Sequence, residues 1–271
     1  MRSSAVMVLC LALLCSCRTT GSGAGRAPGD TRSKRLYLAL CASCHGEDGR
    51  ARAGEVEKLD PPAGDLTRCN FKYRSTASGT LPTDSDLLRT LHVGIPGTRM
   101  PSFSGAVRGP ALEALVVEIK LRCRSFAEQD TAWREVVPAP GRAPGRLLAE
   151  AEARGRAVFA REQCSACHGP AGRGDGPTAA ALKDVTGRPI RPRDFTRGLF
   201  RGGYALVDIY RAFSTGLDGT PMPALRDEVA RADRWDLAIY LASLGRGRDG
   251  LRRPMLEPPF WYRRVLAWGA E

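Results

Sequence analysis

Two copies of a Cys-x-x-Cys-His pentapeptide constrain this chain more than any other feature. The first copy spans residues 41–45 and the second spans residues 164–168. Two thiols three residues apart on one helical turn can each form a thioether to one vinyl group of a haem. The histidine that follows then lies beneath the iron as its proximal ligand. Both motifs therefore predict covalent c-type haem, and the chain must fold around two large planar groups.

The residues predicted to hold haem are the cysteines and histidines of these motifs: Cys41, Cys44, His45, Cys164, Cys167 and His168. Two other interpretations of the motifs are weaker. A thioredoxin-like redox motif does not need the trailing histidine, and the flanking sequence does not resemble a βαβ unit. A zinc site would require further cysteines or histidines in close, matched pairs, and the sequence lacks them.

The sequence downstream of each motif is an internal repeat. Residues 86–103 align with residues 208–225 at an offset of 122 residues, and the two haem motifs are offset by 123 residues. A shorter similarity joins residues 65–71 to residues 194–200. A period of this length is too long for a solenoid and predicts two tandem domains of ordinary small size.

Each repeat also carries a Gly-Thr-x-Met-Pro segment that supplies a candidate second axial ligand. Met100 lies 55 residues after His45, and Met222 lies 54 residues after His168. Proline after each methionine disfavours a helix at the methionine, so each one is predicted on an extended loop. A thioether on such a loop can reach the open face of the iron, where His/Met ligation raises the reduction potential. The alternative is that both methionines fill gaps in the core.

On these motifs, each half of the chain resembles a class I c-type cytochrome, and the whole resembles a tandem di-haem cytochrome c. The resemblance implies a mainly α fold, in which each domain consists of a few helices and long loops wrapped on a covalent haem. It also implies that the first helix of each domain crosses the last. In the second half, Gly155 and Phe159 would face a closing helix over residues 234–244, whereas Ser33 and Tyr37 take their places in the first half.

The resemblance further implies that a proline carbonyl accepts a hydrogen bond from each proximal histidine and so orients the ligand. Pro62 is the candidate in the first half, and Pro189 or Pro192 is the candidate in the second.

The N-terminus predicts export. An apolar run from Ala5 to Leu14 is too short to span a bilayer and suits the core of a signal peptide. The following Leu-Cys-Ser-Cys resembles a bacterial lipobox with Cys17 as the lipidated first mature residue, and ordinary secretion is the alternative. Covalent attachment of haem outside the cytoplasm agrees with this predicted export. We therefore expect a periplasmic lipoprotein, with the outer membrane mildly favoured by Arg18.

The predicted organisation follows from these features. It comprises a lipoprotein signal region (1–17), a flexible tether (18–30), a first cytochrome domain (31–128), a Pro/Gly linker (129–146), a second cytochrome domain (147–245) and a basic, aromatic tail (246–271). Two cysteines then remain unassigned, Cys69 and Cys123, both in the first domain. An oxidising compartment would allow a disulfide between them, and two separate buried thiols are the alternative.

Electron transfer is the expected function. With both axial positions filled, neither iron has a vacancy for a small-molecule substrate. The net charge of +12 suits docking to acidic redox proteins or anionic lipid better than nucleic acid, which an exported haem protein seldom meets. One alternative is a di-haem peroxidase-like enzyme in which a methionine dissociates, although only His92 offers a distal acid/base group. The other is a cytochrome subunit of a larger oxidoreductase.

Overall fold

Helices and connecting loops make up the computed structural model, which describes residues 31–51, 58–107, 109–129 and 148–245. Within these ranges no β-strand forms, and an isolated antiparallel bridge joins Lys183 to Pro189. The predicted mainly α fold is confirmed. The predicted signal region with Cys17, the tether, all but the first residue of the linker and the C-terminal tail lie outside the described residues.

The first half is organised around two crossing helices. Its helices are α1 (Thr31–Leu40), α2 (Ala42–His45), α3 (Asp84–Val93), α4 (Pro110–Arg122) and α5 (Ser125–Glu128). Helices α1 and α3 both pack against α4. Tyr37, Leu91 and Leu115 are among the side chains of the apolar cluster that these helices enclose.

The second half repeats this arrangement. Its helices are α6 (Leu148–Arg161), α7 (Ser165–His168), α8 (Leu206–Thr215) and α9 (Arg231–Leu244). Helix α6 packs along α9, and α8 packs against α9. A second apolar cluster fills the space between them and includes Phe159, Phe213 and Leu237.

An aspartate at the same repeat position lies in the first turn of both α3 and α8. Asp86 accepts a hydrogen bond from the backbone N–H of Thr83 (3.1 Å), and Asp208 accepts one from the backbone N–H of Ala205 (3.2 Å). Each carboxylate satisfies a backbone donor just before the helix and favours the positive end of the helix dipole. The repeat in sequence is therefore also a repeat in local structure.

The two helix crossings are built differently. In the second half, a Cβ atom on Gly155 would lie 2.0 Å from the carbonyl oxygen of Asp236, so α6 and α9 approach too closely for any side chain there. In the first half, buried Ser33 stands at this position and donates a hydrogen bond to Glu118 (2.8 Å). The guanidinium of Arg122 lies 3.3 Å from the ring centroid of Tyr37. A polar contact thus accommodates the larger residue.

The substitution Gly155→Ala is expected to destabilise the protein by about 2 kcal/mol, because steric overlap with α9 forces the helices apart. Alanine favours an isolated helix by only about 1 kcal/mol, so the clash outweighs the gain in helix propensity. Thermal unfolding monitored by circular dichroism would measure the change. Gly105→Ala is the control, since nothing lies within 4 Å of a Cβ at Gly105. An equal melting temperature for both variants would contradict the close crossing.

Polar contacts join the two halves, which belong to one compact unit beginning at Thr31. The buried Arg89 of α3 donates hydrogen bonds to the carbonyl of Gly202 (2.5 Å) and to Asp208 of α8 (3.2 Å). Asp208 also accepts a bond from Arg211 (3.4 Å). Each predicted domain contains one of the apolar clusters, and the boundaries 31–128 and 147–245 stay predictions.

Candidate functional site

Each Cys-x-x-Cys-His motif forms a single helical turn within three residues of the end of the first helix of its half. The backbone N–H of His45 donates to the carbonyl of Cys41 at 2.9 Å, and that of His168 donates to the carbonyl of Cys164 at 2.9 Å. One turn brings both thiols and the imidazole of a motif to the same face of the chain. This is the arrangement that two thioethers and one axial bond to a single haem require.

A backbone carbonyl orients each motif histidine. The Nδ1–H of His45 donates to the carbonyl of Gly64 (2.8 Å), and the Nδ1–H of His168 donates to that of Arg193 (3.3 Å). This tautomer leaves the Nε2 lone pair of each ring available to a metal. The sequence-based assignment of this role to prolines was wrong: Gly64 and Arg193 lie two residues after Pro62 and one residue after Pro192, where the loops turn their carbonyls toward the rings.

Burial keeps these ligand candidates in their neutral forms. It lowers the pKa of both His45 and His168, although the hydrogen bonds to the carbonyls oppose the shift. Neutral imidazole is the form that binds iron. Burial also raises the pKa of the Cys41 and Cys164 thiols to about 11. A reactive redox cysteine requires the opposite shift, so the thioredoxin-like interpretation gains no support.

The motif cysteines are not engaged in disulfides, which would compete with haem attachment. Cys41, Cys44, Cys164 and Cys167 form no disulfide. Among the described residues, no three His, Cys, Asp or Glu side chains are grouped as a metal site of their own would require.

The two methionine loops share one hydrogen-bonding pattern. In the first loop, the N–H of Ile95 donates to the carbonyl of Met100 (3.0 Å), and the Thr98 hydroxyl donates to the carbonyl of Ile95 (2.8 Å) and accepts from the N–H of Met100 (3.1 Å). The same bonds recur within residues 217–222, at 3.2, 2.7 and 3.2 Å. Both methionines lie outside helices, as the following prolines predict. Met100 packs against the first apolar cluster and Met222 against the second.

Phe195 is a site residue that sequence reasoning did not single out. Its ring stacks on the imidazole of His168, with centroids 4.5 Å apart, and on Phe200 at 5.8 Å. The similarity between residues 65–71 and 194–200 places Leu66 at the equivalent position, so this position supplies an aromatic ring in the second half and an aliphatic side chain in the first. That difference between the repeats was the available signal.

Haem fits the residues present. It carries two carboxylates, and the described residues include buried guanidinium nitrogens without a hydrogen-bond acceptor, Nε of Arg89 and Nε of Arg201. A carboxylate would satisfy such donors. The motif thiols without disulfides, the available imidazole nitrogens and the methionine loops on apolar clusters form a donor set that matches haem c at both motifs.

The other cysteines and the third histidine of the described residues lie outside the two motifs and the methionine loops. A disulfide joins Cys69 to Cys123, with their Cα atoms 5.2 Å apart. His92 lies on α3, where burial lowers the pKa of its imidazole and its carbonyl accepts a hydrogen bond from Ser102. None of the helices in the described ranges is long and apolar enough to cross a membrane.

Comparison with known proteins decides the family. The family model of cytochrome c matches residues 152–245. A chain of the Kuenenia stuttgartiensis reducing HAO-like protein complex Kustc0457/Kustc0458 is 36% identical, with a TM-score of 0.70. That match covers 78% of this chain and 94% of the Kuenenia chain. The chain belongs to the cytochrome c family. No curated protein matches this cytochrome.

Membership confirms the coarse predictions drawn from the motifs. The protein is a c-type cytochrome whose cofactor is covalent haem c and whose function is haem-based electron transfer. The family model covers only the second half. The similarity to the Kuenenia chain extends over more of the sequence than that half alone.

Proposed function

We propose that this cytochrome carries two haems and transfers electrons between protein partners. Cys41 and Cys44 would form the thioethers of the first haem, with His45 and Met100 as its axial ligands. In the second half, Cys164 and Cys167 would form the thioethers, and His168 and Met222 would be the axial ligands. Bound haem supplies a reversible one-electron change at iron.

The observation that carries this proposal is the repetition of a complete ligand set. A motif turn, a carbonyl-oriented histidine and a methionine loop with the same internal hydrogen bonds occur once in each half. The chain's own residues then set the properties of each iron. The Nδ1–H···O=C bond would raise the basicity of the histidine ligand. The methionine sulfur would favour the ferrous state of the iron, and the apolar cluster would restrict the access of water.

The partners are proposed to be redox proteins with acidic docking surfaces, because the net charge of this chain is +12. The relative named above is part of a complex of two proteins. This favours the second candidate function, a cytochrome subunit that delivers electrons to or from an oxidoreductase partner. Export, lipidation at Cys17 and attachment to a bacterial membrane, with the outer membrane mildly favoured, complete the proposal.

A spectroscopic experiment tests both haem number and ligation. The pyridine haemochrome assay is expected to find two haems per chain, and carbon monoxide is expected to leave the spectrum of the reduced protein unchanged, because methionine occupies the sixth position of each iron. A single haem per chain would contradict the di-haem proposal. Uptake of carbon monoxide by one haem would favour the peroxidase-like alternative. Co-purification of a second protein in mild detergent would distinguish the subunit from the free carrier.

A further inference from the structure

Arg74 of the first half is the most completely enclosed charged side chain in the described part of the protein, with 0% of its surface exposed. Within its own loop, it donates to the carbonyls of Phe71 (3.3 Å) and Ala77 (3.1 Å). Across the boundary between the halves, it donates to the carbonyl of Thr215 (3.0 Å) and to Asp218 (2.7 Å). A fully buried guanidinium with this set of acceptors is held in one position.

Asp218 accepts three hydrogen bonds from the first half. Besides Arg74, the Ser78 hydroxyl donates to Oδ1 (2.8 Å) and the backbone N–H of Gly79 donates to Oδ2 (3.0 Å). Both oxygens of the carboxylate are therefore engaged, and the side chain is only 19% exposed. Shielding from water strengthens these charge-assisted bonds relative to a surface ion pair.

These contacts converge on the loop that presents Met222. Asp218 lies one residue after Leu217, whose N–H donates to the carbonyl of Met222 (3.2 Å). Thr215, the other residue of the second half that accepts from Arg74, is the last residue of α8 and leads into the same loop. Arg74 therefore holds the start of the loop at two points, and the bond from Leu217 ties the methionine to this start.

The first methionine loop cannot be held in the same way. Pro96 occupies the position equivalent to Asp218 and has no carboxylate to offer. The second half approaches this loop at Gly97, where a Cβ atom would lie 2.7 Å from Nη2 of Arg193. The two loops therefore share their internal hydrogen bonds but differ in the contacts that each makes with the other half of the chain.

We propose that Arg74 and Asp218 form an inter-domain clamp that positions Met222 and slows its dissociation from the second iron. This inference rests on the proposed axial role of Met222. The clamp makes ligation in the second half depend on the first half, and it leaves Met100 the more easily exchanged of the two methionine ligands. Arg74, Ser78 and Asp218 are positioning residues, since they act through the loop.

The test measures how fast imidazole binds to each ferric haem, because methionine must leave before an external ligand can enter. Asp218→Asn is expected to accelerate binding at the second haem roughly tenfold or more, the effect of losing a charge-assisted hydrogen-bond set. The rate at the first haem is expected to stay unchanged. A Met222→His variant identifies the second haem's kinetic phase, which that variant should lose. Asp233→Asn, which removes a surface partner of Arg161 in the same half, is the matched control.

A second variant grades the effect. Ser78→Ala removes one of the three donors to Asp218 and is expected to accelerate the second haem's phase by roughly threefold. Unchanged rates in both variants would overturn the clamp, as would equal acceleration at both haems. If Asp218→Asn does not fold, an unchanged rate in Ser78→Ala alone overturns it. Failure of the proposed ligation has a different signature: the wild-type ferric protein would lack the charge-transfer band of an iron–methionine bond.

Discussion

Replacing both Cys164 and Cys167 with alanine is expected to lower the covalent haem content from two per chain to one. Without either thiol, the second haem has no thioether to hold it, and His168 alone binds it only reversibly. Cys164 and Met222 both pack against the second apolar cluster, so losing the haem also removes a large apolar partner from this cluster. Intact-mass spectrometry would detect the loss of one haem mass, and redox titration would show one remaining transition.

The doubly substituted variant Cys69→Ala/Cys123→Ala is the control for this experiment. It also removes two cysteines, but they belong to the disulfide rather than to a haem motif, so both haems are expected to remain. Two covalent haems in the Cys164/Cys167 variant would contradict the assignment of these thiols. Complete loss of haem would show that the first half cannot acquire its haem without the second.

The parts of the site that sequence predicts are those governed by local chemistry. The spacing of the haem motif requires a helical turn, and residues 41–45 and 164–168 each form one. A proline after each methionine requires a non-helical loop, and both methionines lie on loops. Gly155 is predicted to face the closing helix, and a Cβ atom there would lie 2.0 Å from the carbonyl oxygen of Asp236 in α9. Each of these inferences depends only on residues close together in sequence or on the pairing of the first and last helices of one half.

Contacts that depend on the path of a long loop could not be predicted in this way. Every residue has a carbonyl, so nothing in the sequence marks those of Gly64 and Arg193 as acceptors for the histidines. Arg74 and Asp218 are separated by 144 residues, and their pairing depends on how the two halves pack. The replacement of Pro96 by Asp218 within the repeat was a visible signal, but its meaning required the structure.

The buried charges between the halves contribute more to the relative placement of the halves than to the free energy of unfolding. Arg89 and Asp208 are 5% and 6% exposed, and removing such ions from water offsets much of their attraction. The hydrogen bonds from Nη1 of Arg89 to the Gly202 carbonyl and to Asp208, however, require one relative placement of α3 and α8. Electron transfer between two haems depends on their separation and orientation, so a placement held by directional bonds suits the proposed di-haem function. The clamp at Asp218 is one part of the same interface.

Removing the disulfide is the second change with a large expected effect, about 4 kcal/mol of lost stability in Cys69→Ala/Cys123→Ala. The two cysteines are 54 residues apart, and closing a loop of this length restricts the unfolded chain by about that free energy. In the folded protein, the bond ties the loop after the 3₁₀ turn Leu66–Arg68 to the end of α4. Urea unfolding of the oxidised protein and the variant would measure the difference.

The same variant has a consequence beyond stability. Cys69 lies two residues before Phe71, which packs edge-on against Phe126 (5.8 Å) and whose carbonyl accepts a hydrogen bond from Arg74. Loosening this loop is therefore expected to weaken the hold of Arg74 on Asp218 and to accelerate imidazole binding at the second haem. Mass spectrometry of unreduced peptides would establish the bond in the wild type. A variant that is as stable as the wild type and binds imidazole at the second haem at the wild-type rate would contradict both effects. The disulfide would then restrain neither the unfolded chain nor the loop that carries Arg74.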